Sequence, residues 1–310
     1  MVANWRGRDE RVRLRFGGSP DPRGSAATGG DTVTTTPTRE LPLDLAADVA
    51  AIETDGIVGR KGAFDRSWVE RLHDDLMTAF WSAIQRPHGT IGRGRRRWYV
   101  EVHPEQLSGF LDLVTHPWIS GLSEAVLGPD YRFVEVGFDV PFQGARDQPW
   151  HRDFPSPRPT YEDHRLTSLA FNLTAVDVTQ DMGPFEIAPG THWEPGLEWE
   201  HAMFPAKELW ERYAALGVRK YPQMGDASAR TGLAIHRGTA HASPIARPVL
   251  ILGVVSGDAA NPDEHDLRLT RSMESTLPDD VRRHLLYRAV GELEPITQRH
   301  DIEGLMMGDA

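Results

Sequence analysis

The N-terminal half of the chain shows the spacing of apolar residues that is typical of helices. Between residues 65 and 85, apolar side chains recur at every fourth position, as Trp68, Leu72, Leu76, Phe80 and Ile84. Residues 46–54 and 116–127 show shorter patterns of the same kind, and Gly128 and Pro129 follow the second one as a stop signal. These patterns predict three helices, each with one apolar face for a common core.

The period changes from residue 131 onward, where the apolar segments become short and several of them alternate with polar residues. The strands that this pattern predicts cover residues 132–140, 168–176, 184–187, 233–236 and 248–256. Proline, glycine and aspartate separate these segments. Strands that follow one another without intervening helices indicate an antiparallel sandwich or jelly roll.

The strand-rich half also contains two segments with a helical pattern. Residues 198–216 predict a helical insertion between strands, near 195–217. Residues 276–290 predict a C-terminal helix, with Thr276 as its N-cap and Pro278 in its first turn. The pattern along the chain therefore predicts a mainly β fold in which helices pack on a jelly roll.

The beginning of the chain differs in composition from the rest. Residues 17–38 are Gly, Ser, Thr, Pro and Asp with almost no apolar side chain, so we expect residues 1–40 to form a disordered tail. Residues 41–310 show no internal repeat and are predicted to form one domain. A basic stretch at 92–97 precedes a strand at 98–102, and it is either a solvated loop or a rim that meets an anionic substrate.

Composition and charge narrow the classes of function. The chain has 310 residues, with 34 Lys and Arg against 45 Asp and Glu, so its net charge is −11. This charge argues against nucleic acid and anionic membranes as partners. The absence of cysteine excludes disulfides and thiolate ligands, so a metal would need His, Asp or Glu. No apolar run is long enough for a bilayer and the N-terminus is too charged for a signal peptide, which predicts a soluble cytoplasmic protein.

Two His-x-Asp triplets are candidates for metal ligands, and the predicted backbone decides between them. His73 and Asp75 lie in a helical segment, where positions i and i+2 point about 200° apart and cannot share an ion. His151 and Asp153 lie where the strands begin, and on extended backbone they point to one side, with Arg152 turned away. Two His and one carboxylate on one face of a metal form the ligand set of non-haem Fe(II) oxygenases.

The second His of such a set has to come from a distant strand, and the candidates are His164, His192, His201, His236 and His241. His236 ends an apolar strand, and Arg247 opens the strongly apolar segment 248–256 eleven residues later. Burying an Arg at that point is costly unless it pairs with an anion, and its guanidinium fork fits a carboxylate. The alternative is an Arg at a strand end that stays half in water.

These residues, in this order, resemble the phytanoyl-CoA dioxygenase family of Fe(II)/2-oxoglutarate dioxygenases over residues 52–256. The resemblance rests on His151-x-Asp153, the stretch 183–192, His236, Ser243 and Arg247. It implies a double-stranded β-helix fold, which is a cupin-like jelly roll. It also implies Fe(II) as the cofactor, with His151, Asp153 and His236 as its ligands. Arg247 would bind the far carboxylate of the cosubstrate 2-oxoglutarate.

Other positions follow from the resemblance less directly. Ser243 would offer a hydroxyl to the carboxylate that Arg247 binds, or it is a turn residue. Asn172 would contact 2-oxoglutarate, although family members often carry an aromatic or apolar residue there. His241 stands where the family commonly has Asn, and it would be a donor behind the ligands or a structural turn residue. His192 is interpreted as structural.

The sequence therefore predicts an oxygenase that hydroxylates a small molecule with O₂ and 2-oxoglutarate and releases succinate and CO₂. Two alternatives stay open at this point. A cupin-like metal-dependent hydrolase or isomerase would use the same ligands but would leave Arg247 without a role. A non-catalytic jelly-roll binding protein would not need the full set of His, Asp, His and Arg. The resemblance leaves the substrate open among acyl-CoA thioesters, osmolytes and secondary metabolites, and the oligomeric state is open as well.

Overall fold

The computed structural model describes residues 43–259 and 265–298. Its helices are α1 (Leu43–Asp55), α2 (Arg66–Ala83), α3 (Phe110–Val114), α4 (Pro117–Leu127), α5 (Arg158–Glu162), α6 (Trp210–Leu216), α7 (Arg271–Thr276) and α8 (Asp279–His284). Its strands are β1 (Ile57–Arg60), β2 (Ile91–Gly92), β3 (Arg97–Glu101), β4 (Arg132–Pro141), β5 (Ser168–Thr174), β6 (Phe185–Ile187), β7 (Val218–Lys220), β8 (Ala227–Arg230), β9 (His236–Gly238), β10 (Val249–Val255), β11 (Arg268–Thr270) and β12 (Arg288–Val290). The predicted tail over residues 1–40 lies outside the described residues.

Two antiparallel sheets form the framework of the protein. The larger sheet has seven strands in the order β1-β8-β5-β10-β4-β3-β2, and every neighbouring pair in it is antiparallel. The smaller sheet has β6 at its centre, with β7 and β9 antiparallel on either side. Several neighbouring strands are distant in sequence, such as β1 and β8 or β4 and β10, as a jelly roll requires. The predicted double-stranded β-helix fold is confirmed.

The main core lies between the outer face of the larger sheet and the helices. Alternate residues of β10, Leu250, Leu252 and Val254, are buried in one cluster with the apolar faces of α2 and α4. Trp118 of α4 meets Phe171 of β5 edge to face, with ring centroids 5.7 Å apart. The period of two in the strands thus turns every second side chain toward the helices and the others toward the inside of the jelly roll.

Helix α2 confirms the predicted apolar stripe except at its last position. Trp68, Leu72, Leu76 and Phe80 are buried in the main core. Ile84 lies one residue beyond the end of the helix, where it is the C-cap, and it is 36% exposed.

In the part of the chain that the structure describes, no helix has both the length and the apolar character that crossing a bilayer requires.

The inner face of the larger sheet is polar and is turned toward the smaller sheet. Asn172 of β5 and Arg230 of β8 lie on this face, in alternation with the residues of the main core. The guanidinium of Arg230 lies 5.4 Å from the ring centroid of Phe185, which belongs to β6. Polar side chains from one sheet therefore meet the other sheet inside the jelly roll, and this is where the candidate site lies.

The predicted C-terminal helix over residues 276–290 is found only at Asp279–His284, and its predicted N-cap, Thr276, belongs to another helix. Thr276 is the last residue of α7, a helix that Thr270 caps by accepting from the N–H of Met273. Pro278 has no N–H to donate and forces the preceding residue into extended backbone, so the chain leaves the helix there. A second short helix, α8, follows Pro278, and the chain then forms β12 beside β11.

The predicted insertion over residues 198–216 is helical only in its second half. His201 and Ala202 adopt left-handed backbone, with φ of 52° and 53°, and this conformation interrupts a right-handed helix. The helix begins later, as a 3₁₀ turn at Lys207–Leu209 that continues into α6. The strand predicted at residues 233–236 is also displaced, because β9 begins only at its last residue, His236.

Candidate metal centre

The candidate metal centre lies where the segment after β4 runs beside β9. His151 and His236 pair antiparallel there, with backbone N to O distances of 3.0 and 2.9 Å. The backbone N–H of Asp153 donates to the carbonyl of Gly232 at 2.8 Å, which keeps this segment extended. Arg152 points to the opposite side, where its guanidinium donates to two backbone carbonyls at 2.6 and 3.0 Å. The alternation that the sequence predicts for residues 151–153 is confirmed.

Backbone carbonyls fix the proton on both imidazole rings. Nδ1 of His151 lies 2.8 Å from the carbonyl oxygen of Pro149, and Nδ1 of His236 lies 2.8 Å from that of Ala234. A carbonyl oxygen can only accept a hydrogen bond, so Nδ1 is the donor in each ring. The neutral form of each ring then presents the lone pair of Nε2, which is the form in which His binds a metal.

The three predicted ligands come together at one point. One ligand atom from each of His151, Asp153 and His236 lies within 4.8 Å of the other two. Oδ1 of Asp153 is 3.2 Å from Nε2 of His236, and the two imidazole centroids are 4.5 Å apart. The two rings are buried, whereas the side chain of Asp153 is 29% exposed. Two imidazoles and one carboxylate at this spacing are a donor set that fits a divalent iron ion.

The electrostatic environment keeps these groups in the forms that bind metals. Burial and the neighbouring ring of His236 lower the pKa of His151 to about 3, so that imidazole is neutral at physiological pH. Burial alone would raise the pKa of Asp153, but the guanidinium of Arg230 and the ring of His236 outweigh it and hold that pKa far below its usual value. The carboxylate is therefore ionised.

Arg230 is the residue of this centre that the sequence analysis missed. Its Nη1 donates to Oδ2 of Asp153 at 2.5 Å, and its Nη2 lies 3.4 Å from Oδ1. Arg230 ends β8, a four-residue strand that the apolar pattern did not reveal. The two partners are 77 residues apart in sequence. The one available signal was an Arg at the end of a segment of small residues, Ala227–Arg230.

The insertion before β7 packs against the residue that precedes the first predicted metal ligand, His151. Trp150, the neighbour of His151, is buried in a small cluster with Tyr213 of α6 and Ile235. The guanidinium of Arg237 covers the Trp150 ring at 4.5 Å. The short helix of the insertion therefore fixes the backbone from which His151 projects.

Arg247 lies buried at the start of β10, as its predicted role requires. Its Nε donates to the carbonyl of Met182 at 2.9 Å, and its two terminal nitrogens have no hydrogen-bond partner among the described residues. Burial and the nearby guanidinium of Arg97 lower the pKa of Arg247 to about 10, against the effect of Asp139. The open end of a buried guanidinium fits the carboxylate of a ligand.

Two further predicted positions are Asn172, on the inner face of the larger sheet, and Ser243, in the loop before β10. Asn172 pairs in register with Ile251 of β10, and its buried Nδ2 has no hydrogen-bond partner among the described residues, which fits a ligand contact. The hydroxyl of Ser243 accepts from the N–H of Ile245 at 3.2 Å, which is the turn role left open by the sequence. Its contact with 2-oxoglutarate stays a prediction.

Two other buried histidines, His241 and His192, have structural partners. Nδ1 and Nε2 of His241 lie 2.8 Å from the carbonyl oxygens of Met182 and Ile245, so this ring ties two loops together. Nε2 of His192 lies 3.0 Å from the carbonyl oxygen of Glu53 at the end of α1. Neither residue belongs to the ligand cluster that the described part of the chain contains.

The arginines of the basic stretch at residues 92–97 differ in their exposure to solvent. Arg95 and Arg96 are exposed in the turn between β2 and β3, as a solvated loop predicts. Arg97 is 2% exposed, and its guanidinium donates to Thr239 O at 3.0 Å and to Gln148 Oε1 at 3.2 Å. The last Arg of the run therefore lies inside the jelly roll, between the segments that carry the two histidine ligands.

Comparison with known families identifies the chain. The sequence profile of the phytanoyl-CoA dioxygenase (PhyH) family matches residues 52–249, which is well over half of the chain. The chain belongs to the phytanoyl-CoA dioxygenase family. The match includes β4, the segment with His151 and Asp153, β9 and the first residue of β10. A PhyH-family protein with this His-Asp-His cluster is a dioxygenase of the Fe(II)/2-oxoglutarate type, with iron and 2-oxoglutarate as its cofactors.

Solved structures show the same fold. The non-heme alpha-ketoglutarate-dependent epimerase SnoN from nogalamycin biosynthesis is 19% identical, and the match covers 71% of this chain and 89% of SnoN with a TM-score of 0.51. EctD from S. alaskensis with bound Fe is 16% identical, with 68% and 76% of the chains covered and a TM-score of 0.53. The apoform of EctD gives a TM-score of 0.55 over 70% of this PhyH-family chain and 80% of EctD, at 16% identity. At these identities the likeness describes the fold.

Proposed function

We propose that this protein hydroxylates a small-molecule substrate with O₂ and 2-oxoglutarate and forms succinate and CO₂ as co-products. The observation that carries the proposal is the convergence of two Nε2 atoms and one ionised carboxylate within 4.8 Å. Both imidazoles are held by backbone carbonyls in the orientation that metal binding needs. Iron bound at this point would activate O₂ at the expense of 2-oxoglutarate and supply the oxidising power for a substrate C–H bond.

The roles of the protein's own residues follow from their positions. His151, Asp153 and His236 would hold the iron, which would supply the redox chemistry with the cosubstrate and O₂. The open guanidinium end of Arg247 binds the far carboxylate of 2-oxoglutarate. The buried amide of Asn172, which needs a partner, donates to the same ligand. Arg247 and Asn172 thus gain the partners that they lack only when the cosubstrate is bound.

Hydroxylation is the outcome that this ligand set supports best. Asp153 takes a coordination position that a halide would need, which disfavours halogenation. A cupin-like hydrolase or isomerase would not need a buried Arg247 with an open end. The same fold serves an epimerase in SnoN, so the reaction has to be established from the product. One oxygen atom of O₂ goes into the hydroxyl group of the product and the other into succinate.

The test is an anaerobic titration of the metal-free protein with Fe(II), followed by 2-oxoglutarate. We expect a weak visible absorption band, from charge transfer between iron and the keto acid, which appears only when both are present. The His241→Ala protein should retain the band and the His236→Ala protein should lose it. Absence of the band at saturating Fe(II) and 2-oxoglutarate would contradict the proposal. Loss of the band in His241→Ala, together with its retention in His236→Ala, would also contradict the proposal.

Proof of hydroxylation requires the substrate and a label. With ¹⁸O₂, the product should gain one labelled oxygen and succinate the other. A product without the label would support epimerisation or another outcome and would overturn the assignment as a hydroxylase.

A further inference from the structure

We propose that Arg230 is a built-in counter-ion of Asp153, which balances the charge of the metal-free centre and sets how tightly the centre binds its metal. This inference rests on the proposed ligand role of Asp153. Arg230 is a positioning residue in this scheme, since it contacts a ligand and not the iron or the substrate.

The contact between the two side chains is direct. The guanidinium faces both oxygens of the carboxylate, at 2.5 Å from Oδ2 and 3.4 Å from Oδ1. Oδ1 is also the oxygen that lies 3.2 Å from Nε2 of His236, toward the cluster of ligand atoms. Arg230 therefore takes the far oxygen, Oδ2, most closely and leaves Oδ1 pointing at the place where the metal binds.

Arg230 has no other acidic partner in the part of the chain that the structure describes. Its side chain is 7% exposed, and its Nε is buried without a hydrogen-bond partner. Its other close neighbour is the ring of Phe185 at 5.4 Å. A buried guanidinium in these surroundings depends on Asp153 for its charge balance.

The backbone around the pair leaves room for it. A Cβ atom at position 232 would lie 3.0 Å from Oδ2 of Asp153 and 2.5 Å from the ring of Phe154. Gly232 therefore allows the chain to pass close to the carboxylate while its carbonyl accepts from the N–H of Asp153. The bond to Gly232 thus fixes the backbone of Asp153, and Arg230 fixes its carboxylate.

The charge count gives the consequence for metal binding. The charges of the paired Asp153 and Arg230 side chains sum to zero, so a divalent cation enters a centre that already contains a guanidinium. Without Arg230, the carboxylate of Asp153 attracts the cation and no guanidinium opposes it. The same pair that stabilises the empty centre thus weakens its affinity for the metal.

The main test replaces Arg230 with the neutral, similarly long Met. Titration of metal-free protein with Fe(II) at pH 8 without oxygen should show at least about tenfold tighter binding in Arg230→Met than in the original protein. Arg230→Lys, which keeps the charge, should bind Fe(II) with an affinity closer to the original than that of Arg230→Met. Arg219→Met is the control, because it removes a cation that pairs with Glu186 and not with a ligand. Equal or weaker Fe(II) binding in Arg230→Met, or the same gain in Arg219→Met, would overturn the proposal.

A second measurement requires no metal and stands apart from the proposed function. Thermal unfolding of the metal-free Arg230→Met and Asp153→Asn proteins should each begin roughly 5 °C lower, because each leaves a buried charge unpaired. The Arg230→Met/Asp153→Asn double variant should unfold at a higher temperature than either single variant. Additive losses in the double variant would contradict the pairing. Failure of the original protein to bind Fe(II), with the thermal result intact, would instead count against the proposed function alone.

Discussion

The two ends of the candidate site differ in how their charges are balanced. At the metal end, the ionised Asp153 has Arg230 at 2.5 Å, so its charge is matched before any ligand arrives. At the other end, Arg97 and Arg247 are both buried, and Asp139 is the nearby carboxylate, 3.4 Å from Arg97. Two cations with one anion leave a single positive charge, which the far carboxylate of the keto acid would neutralise. One end is therefore complete without its ligand, and the other is not.

This difference shows how one fold can provide a metal-binding site and a carboxylate-binding site next to each other. A metal site needs ligands held in one geometry, and the backbone contacts of His151 and His236 provide this. A carboxylate site needs an unpaired donor in a dry place, and Arg247 provides this. Substitutions at the two ends should accordingly have opposite effects on the empty protein.

The largest effect is expected at the cosubstrate end. Arg247→Leu should weaken 2-oxoglutarate binding by about 30-fold to several thousand-fold, because a charge-assisted pair in a buried site loses about 2–5 kcal/mol when one partner is removed. The same change removes an unmatched charge, so the free energy of unfolding of the ligand-free protein should stay equal or rise. Titration of 2-oxoglutarate in the presence of Fe(II) without oxygen, together with denaturant unfolding, measures both quantities. Unchanged 2-oxoglutarate binding would show that another cation anchors the acid.

The next effect concerns the metal end. His236→Ala should lower Fe(II) affinity by more than about 100-fold, since even residues behind the ligands cost about 10- to 100-fold when replaced. His241→Ala is the control, because that ring bonds to two backbone carbonyls outside the ligand cluster. Calorimetric titration with Fe(II) separates the two variants. Equal losses in both proteins would mean that His236 acts through the fold and not as a ligand.

The smallest effect is a pH-dependent change in stability at His192, which lies outside both ends. Burial lowers the pKa of His192, against the contact with Glu53 O. The folded protein then binds a proton less readily than the unfolded chain, so the stabilisation is full above the ordinary His pKa of about 6.5 and is lost as the pH falls below it. His192→Asn should reduce the difference in unfolding free energy between pH 7.5 and 5.5, which denaturant unfolding at the two pH values measures. An unchanged difference in His192→Asn would contradict the assignment.

The ligand residues could be predicted from the sequence because their signals are local. His151 and Asp153 share one side of an extended segment, and Arg247 precedes an apolar strand that could not bury a charge without an anion. The resemblance to the family then supplied His236 as the partner. These features can be recognised in the sequence because each of them depends on a few neighbouring residues.

The charge balance could not be predicted, because it depends on contacts that are distant in sequence. Arg230 meets Asp153 across 77 residues, and Arg97 reaches Thr239 across 142. Neither pairing leaves a periodic pattern. The error in the C-terminal helix has a different origin: Pro278 was assigned to the first turn of one long helix, whereas it separates α7 from α8.

The most direct test of the site is a crystal structure of the protein with Mn(II), in place of the reactive iron, and 2-oxoglutarate without oxygen. We predict the metal on Nε2 of His151, Nε2 of His236 and one oxygen of Asp153, with the other oxygen still on Arg230. The far carboxylate of 2-oxoglutarate should lie on the terminal nitrogens of Arg247. A metal bound elsewhere, or a keto acid whose far carboxylate avoids Arg247, would contradict the assignment.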